Sequence, residues 1–444
     1  GREAQLVHAH ADVVHQQLHN LPDLLAVKRV EDDDLVDPVQ ELGPEAGPEH
    51  GVHRTFDLGR APLARARLLR FGPQRHALLL TFHHIIVDGW SVALFFREFA
   101  TAFRAVAAGQ SPALPELHLS YRDFARRQRE RLAGELEDRQ LAYWKERLTD
   151  LEESQLPPDR PRQGVGNFSG ALATIRFSAQ ESRALGALAR RHQASLFMVL
   201  LAAFKVALAR VSGSFDLALG VGIANRNQAE LEGLLGFFVN SLVMRTRLDG
   251  SPSFAEALER VRRTALGAYD HQDLPFDKLV EELNPERYLN HNPLFRIILA
   301  MQNLPSSQLE LPGLEAMLRP VHSGTSKFEL FLDFKEAGGE LEGSCEYSSE
   351  LYDRSTVVRF LAAFKRLALA AAAEPSRSIA ALPLAGEAER HQCCYEWNDT
   401  ARPYPAGETL AALFAAQAAA APEAIALVQD LEATSYGELA RRVR

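Results

Sequence analysis

The stretch "SLFMVLLAAFKVALARVSG", residues 195 to 213, sets the tightest limit on what this chain can fold into. It is apolar on nearly every face, so it is stable only as a helix enclosed by other elements. Enclosing it takes a large core, and at 444 residues the chain is long enough, with roughly three domains expected. Strands and helices alternate around it. "ALATIRFS", "FDLALGVGIANR" and "GLLGFFVNSLVMRTRL" read as strands and "AQESRALGALARRHQ" as a helix, while "SFAEALERVRRTALGAYDHQDLPFDKLVEEL" reads as two helices hinged near Pro275. "PLFRIILAMQN", "KFELFLDFKE" and "ELEGSCEYSSELYD" add three strands, and "STVVRFLAAFKRLALAAAA" closes with a helix. This alternation predicts an α/β fold.

Upstream, "LARARLLRF" and "HALLLTFHHII" are strand-like, the second apolar enough to be buried on both faces. In "SVALFFREFATAFRAVAAG", Val92, Phe95, Phe99, Phe103 and Val106 recur at helical spacing, and Gly109 stands where a C-terminal cap belongs. "YRDFARRQRERLAGELEDRQLAYWKERL" predicts one further long helix. "LPPDRPRQGVGNFSG" is dense in Pro and Gly and marks a lobe boundary. Residues 1 to 50 lack Phe, Tyr and Trp, hold His8, His10, His15 and His19, and carry the acidic run Glu31 to Asp34. With so little aromatic mass they are expected to pack weakly. The histidines have no regular ligand spacing, and no metal site is expected.

The net charge of −9 gives no electrostatic reason to expect nucleic acid. No apolar run approaches the ~20 residues that cross a bilayer, and no signal peptide opens the chain, so no membrane is expected. Cys345, Cys393 and Cys394 make no disulfide framework and fit a reducing cytoplasm, the expected location.

One pattern points to chemistry. In "HHIIVDGWS", residues 83 to 91, two histidines end an apolar run and an Asp-Gly pair follows. Buried histidines need hydrogen bonds or a chemical task, and the pattern alone leaves both open. A histidine at a strand end can act as a general base, and His84 is the candidate. Asp88 would hold the loop through a charged partner, and Gly89 would let a backbone or substrate come close. No G-x-S-x-G context supplies a nucleophile, so direct transfer between two bound substrates is expected rather than a covalent acyl-enzyme.

"HHIIVDGWS" resembles the core motif of nonribosomal peptide synthetase condensation domains, in the chloramphenicol-acetyltransferase-like superfamily, and further motifs follow in family order. "YRDFARRQ" (121–128) resembles YxDFAxWQ, with Arg127 where Trp is usual. "LPPDRPRQGVGNFSG" is similar to the stretch between the family's lobes, "GFFVNSLVMR" (236–245) to its IGxFVNT segment, and "HQDLPFDKLVEEL" (271–283) to HQDxPFExLVxxL. "RYLNHNPLFRIILAMQN" resembles RDxSRNPLFQVMF, with Arg287 and Pro293 kept and Tyr288 replacing Asp. The tail "WNDTARPYP…ATSYGEL" resembles the start of an adenylation domain, cut before any ATP-binding element. The resemblance covers residues 53 to 444.

It implies two chloramphenicol-acetyltransferase-like lobes in a V arrangement, with the N-terminal lobe incomplete. The implied division is an atypical segment over 1–50, a partial N-terminal lobe over 51–156 and a C-terminal lobe over 157–385. A linker over 386–405 and an adenylation start over 406–444 follow. The implied activity joins a donor aminoacyl or peptidyl thioester to an acceptor aminoacyl thioester through an amide bond. Upstream and downstream peptidyl carrier proteins would carry both substrates on phosphopantetheine arms, with a downstream adenylation domain in the same chain and no directly bound cofactor or metal. His84 would position or deprotonate the amine, or stabilise the charged transition state. His83 and Asp88 would support it and Gly89 would leave room, while Trp90, Ser91 and Asn240 would line or brace the substrate tunnel. The motifs look most like subtypes joining an L-configured donor to an L-acceptor. Epimerization or dual epimerization/condensation domains share HHxxxDG and are alternatives. A non-catalytic remnant is another, because the family's opening motifs are not visible. One of them carries an Arg that pairs with the Asp of HHxxxDG. If that Arg is absent, Asp88 is expected to be left buried and unpaired.

Overall fold

The computed structural model describes residues 21–28, 55–152, 154–162, 168–283, 292–302, 309–403 and 407–443. They belong to two compact units, Gly1–Ala385 and Gly386–Arg444. The larger begins with β1 (Leu21–Lys28), β2 (Ala64–Arg70) and β3 (Arg75–Phe82), where β3 pairs antiparallel with both others. In β3, Ala77 and Leu79 are buried on one face and Leu80 on the other. The strand ends at Phe82 rather than running through "HHII", because His83 turns the chain into a 3-10 turn, His84–Ile86. The His83 ring Nδ1 caps that turn, accepting from the Ile85 N–H at 3.1 Å.

Helix α1 (Gly89–Ala107) follows at once and lays Phe95, Phe96, Phe99 and Phe103 against Leu80 and Phe82 of β3. The single long helix expected next is two, α2 (Tyr121–Leu132) and α3 (Glu135–Leu148). They break at Gly134, whose φ of 86° is left-handed and falls to glycine at little cost. Although residues 1 to 50 were expected to pack weakly, β1 comes from that segment and is paired along both edges. The N-terminal histidines, the acidic run at 31–34, and Arg287 and Tyr288 lie outside the described residues.

The second half supplies β4 (Gly170–Phe177), α4 (Ala179–Arg191), α5 (Leu196–Ser212), β5 (Asp216–Ile223) and β6 (Asn240–Arg247). Next come α6 (Phe254–Asp270), α7 (Phe276–Leu283), β7 (Ile297–Gln302) and β8 (Glu315–Pro320). β9 (Leu330–Ala337), β10 (Glu340–Ser348) and α8 (Arg354–Ala373) complete it. A six-stranded sheet has the order β4-β10-β9-β7-β5-β6, with β7 parallel to both β5 and β9. β8, which the sequence did not signal, leaves that sheet and pairs with β1, so the other sheet has the order β2-β3-β1-β8. A strand from the second half thus ties the two sheets together. It is a short, partly exposed edge strand, too polar to stand out by composition.

As expected, α5 is enclosed: Val199, Leu200, Leu201, Phe204 and Leu208 are buried, with Phe204 edge-on to Phe360 and Phe364 of α8. Ser195 caps its N-terminus and Gly213, at φ 78°, ends it. Serine–glutamate capping boxes, Ser178/Glu181 and Ser253/Glu256, start α4 and α6. The smaller unit holds α9 (Glu387–His391), then a π-turn bearing the exposed thiols Cys393 and Cys394, then α10 (Leu410–Ala420). A hairpin of β11 (Ile425–Gln429) and β12 (Glu432–Ser435) leads into α11 (Tyr436–Val443). Among the described residues no single helix is long and apolar enough to cross a membrane.

Lys205 breaks the apolar pattern of α5 and is fully buried. Its ammonium donates to the Leu217 carbonyl at 3.2 Å, the Thr246 hydroxyl at 2.8 Å and the Met244 carbonyl. None of these carries a charge, and burial pulls its pKa down to about 7. Between that value and the ordinary lysine range the unfolded chain binds the extra proton, so stability rises with pH across this window. Denaturant melts from pH 6 to 10 should show the native protein gaining stability relative to Lys205→Met, by on the order of a few kcal/mol. Parallel curves for the two proteins would show that Lys205 does not titrate there.

Candidate active site around His84

The site forms where the 3-10 turn, the start of α1 and the loops after β5 and before β6 meet. Asp88 is the N-cap of α1, its Oδ1 accepting from the Ser91 N–H at 2.7 Å. The Asp88 carboxylate is wholly enclosed, yet it is not left unpaired: Arg226, just after β5, donates to Oδ1 at 3.2 Å and to Oδ2 at 3.4 Å. The Phe238 N–H donates to the same Oδ2 at 3.0 Å. Arg226 also donates to the Leu234 carbonyl at 2.8 Å, to the Leu231 carbonyl, and to Ser91 Oγ at 2.8 Å, with its guanidinium 3.9 Å above the Phe238 ring. A buried carboxylate is tolerable only with such a partner set. Asp88 thus has its cation from the second half of the chain, where the family motif would supply one from the N-terminus. The sequence signal was the arginine closing the largely apolar "GVGIANR".

His84 stands beside this pair, half-buried. Its Nδ1 lies 2.6 Å from the Val87 carbonyl oxygen. A carbonyl only accepts, so Nδ1 carries the hydrogen and Nε2 the lone pair. Nε2 makes no hydrogen bond among the described residues. The ring meets Phe237 edge-on with centroids 5.1 Å apart. Burial, and then the positive charge of Lys327, lower its pKa to about 4, so the ring is neutral at neutral pH. His84 can therefore accept a proton or hydrogen bond at Nε2 while its other nitrogen fixes the orientation.

The remaining sequence candidates surround these two. His83 is buried, edge-on to Phe56 and capping the turn that carries His84. Gly89 is the exposed first residue of α1, and Trp90 donates from its indole N–H to the Glu232 carbonyl at 3.0 Å. Ser91, expected at a tunnel wall, is fully buried. Its hydroxyl donates to the Gly236 carbonyl at 2.7 Å and accepts from the Gly236 N–H at 3.0 Å. The Asn240 amide donates to the Gln272 and Leu274 carbonyls, and its oxygen accepts from the Phe276 N–H at 3.0 Å. It braces the turn between α6 and α7.

Tyr121 had no assigned role in the sequence reading. Its hydroxyl donates to the Phe237 carbonyl at 2.7 Å, fixing the backbone beneath the His84 ring. A Cβ at Gly236 would lie 2.4 Å from the Tyr121 ring, so only glycine lets these two segments close. Among the described residues no group of His, Cys, Asp or Glu is arranged to hold a metal ion.

Comparison with known proteins identifies the family. The condensation-domain family model matches residues 43–393. Chondramide synthase cmdD of Chondromyces crocatus is 42% identical over 397 residues, 89% of this chain and 10% of that protein. Malpinin synthetase of Mortierella alpina is 37% identical over 404 residues, 91% of this chain and 5% of its own length. The chain thus spans a tenth or less of these relatives. A four-domain nonribosomal peptide synthetase bound to AMP and glycine superposes with a TM-score of 0.77 over 97% of this chain and 35% of that one; at 22% identity this speaks for the fold alone. With its motif residues gathered around His84 and the family model spanning most strands of both sheets, the chain belongs to the condensation-domain family.

Proposed function

We propose that this chain joins a donor aminoacyl or peptidyl thioester to the amine of an acceptor aminoacyl thioester, both held on phosphopantetheine arms of peptidyl carrier proteins. The observation that carries this is the fixed tautomer of His84, with Nδ1 tied to Val87 and Nε2 left to accept. The acceptor nitrogen attacks the donor carbonyl, the N–C bond forms and the C–S bond breaks. The amine proton leaves through Nε2 to the departing donor thiolate, and the peptide remains on the acceptor carrier. An imidazole this weakly basic does not strip a bound ammonium. It accepts the proton as the N–C bond forms, when the nitrogen turns acidic. Proximity of the two bound substrates contributes much of the rate, up to about 7–11 kcal/mol.

In this reading His83, Asp88, Ser91 and Asn240 hold the frame, while Gly89 and Trp90 border the space for substrate. The boundaries at residues 51, 157, 386 and 406 divide two lobes in a V, a linker and the start of an adenylation domain. "WNDTARPYP" and "SYGEL", together with the compact unit from Gly386 onward, support that last assignment. The Asp88–Arg226 pair favours catalysis over a non-catalytic remnant, since the buried carboxylate keeps its cation despite the unusual N-terminus.

The test supplies donor-loaded and acceptor-loaded carrier proteins and weighs the acceptor for added peptide. His84→Ala should lower the rate at least about 100-fold, the scale of general base catalysis. Product formation undiminished in His84→Ala would sink the assignment. The imidazole works unprotonated, so activity limited by His84 should fall only as pH drops toward about 4, not near the ordinary histidine value of 6.5. A His84 imidazole NMR signal that titrates at the ordinary value of 6.5 would show His84 to be ordinarily solvated.

A further inference from the structure

The Val87 carbonyl fixes one atom of His84, the Nδ1 that lies 2.6 Å from it. The second torsion of a histidine is broad, so a bond at one nitrogen leaves the ring free to tilt about it and carry Nε2 aside. A second contact limits that freedom. The Phe237 ring meets the imidazole edge-on, with centroids 5.1 Å apart and planes at 82°.

Phe237 is itself held on both sides. Ser91 exchanges hydrogen bonds with Gly236, and the Phe238 N–H donates to Asp88 Oδ2 at 3.0 Å. The carbonyl of Phe237 accepts from the Tyr121 hydroxyl at 2.7 Å. Packing places that hydroxyl. Tyr121 opens α2 behind the Ser120 cap, and its ring stands edge-on to Phe238 at 5.1 Å. Phe124, one turn along α2, lies 4.6 Å from the same Phe238 ring. The close approach at Gly236 seats the Tyr121 ring against the backbone just before Phe237. Direct contacts thus run from the first turn of α2 through Phe237 to the imidazole. On the proposed function above, we propose that Phe237 is a positioning residue, set by the Tyr121 hydroxyl, that holds the His84 ring so that Nδ1 stays on Val87 and Nε2 faces the attacking amine. Phe237 carries no titratable group and acts through the imidazole it touches, whereas Tyr121 acts one contact further back.

The experiment labels the histidine ring nitrogens of the full chain and reads by NMR, at neutral pH without substrate, which nitrogen of His84 carries the hydrogen. The signal is assigned by its loss in His84→Gln. The same proteins then join donor-loaded to acceptor-loaded carrier proteins, with kcat and KM measured separately. Phe237→Leu should spread His84 over both tautomers and lower kcat by up to about 100-fold, the cost of a misplaced group, with KM for each carrier protein near native. Tyr121→Phe removes one hydroxyl and keeps the ring, so it carries the test if melting shows Phe237→Leu to be unfolded. It should move both readouts in the same direction by less. Phe237→Tyr retains an aromatic edge and should keep both near native; a loss as large as that of Phe237→Leu would overturn the role given to the ring. A native tautomer in both Phe237→Leu and Tyr121→Phe overturns the proposal whatever the rate does. A raised KM with unchanged kcat also overturns it, since Phe237 would then bind substrate rather than position His84. The NMR readout needs no turnover, so mixed tautomers in variants of a chain that forms no peptide would leave the positioning standing while defeating the proposed reaction.

Discussion

The buried pair of Asp88 and Arg226 is the contact on which the site depends. Asp88 lies six residues past the end of β3 and caps α1, while Arg226 lies just past β5 in the other sheet's half of the chain. Their contact fixes the turn carrying His84 relative to the segment 231–240. Isolating either charge in that interior would cost about 3–5 kcal/mol. Each carboxylate oxygen of Asp88 also meets a backbone donor, Oδ1 from Ser91 and Oδ2 from Phe238. The pair therefore organises backbone on both sides of the contact.

From this contact the motifs connect in turn. Ser91 and Gly236 exchange hydrogen bonds, Tyr121 closes over Gly236 and holds the Phe237 carbonyl, and Phe237 meets the His84 ring. Asn240 extends the chain of contacts to the turn between α6 and α7. Sequence segments more than a hundred residues apart thus form one assembly whose bonds run mostly from side chain to backbone. That arrangement places one imidazole, and burial keeps it neutral.

Much of the fold was legible because long apolar patterns decide it. The enclosed helix α5, the paired helices about Pro275 and the strands β9 and β10 each carry a strong period and appear where that period places them. Failures came where a single residue decided. Gly134 splits a helix whose apolar stripe continues through the break, and His83 ends β3 by capping a turn, so composition alone overextended both. β8 was missed because a short, half-exposed edge strand buries too little to show an apolar signal. At the site, His84 and Asp88 stood out through their spacing. Arg226 did not, because it acts across the fold on a partner more than a hundred residues away, and no local pattern records such a pairing.

A double-mutant cycle on Asp88→Asn and Arg226→Met, read by denaturant unfolding of the full chain, tests the central claim most directly. Each single variant strands one buried charge, whereas the double variant strands none. The account predicts that both singles are destabilised by about 3–5 kcal/mol and that the double variant regains much of the loss. Additive losses would contradict it, since the two residues would then stabilise the fold independently rather than as a pair.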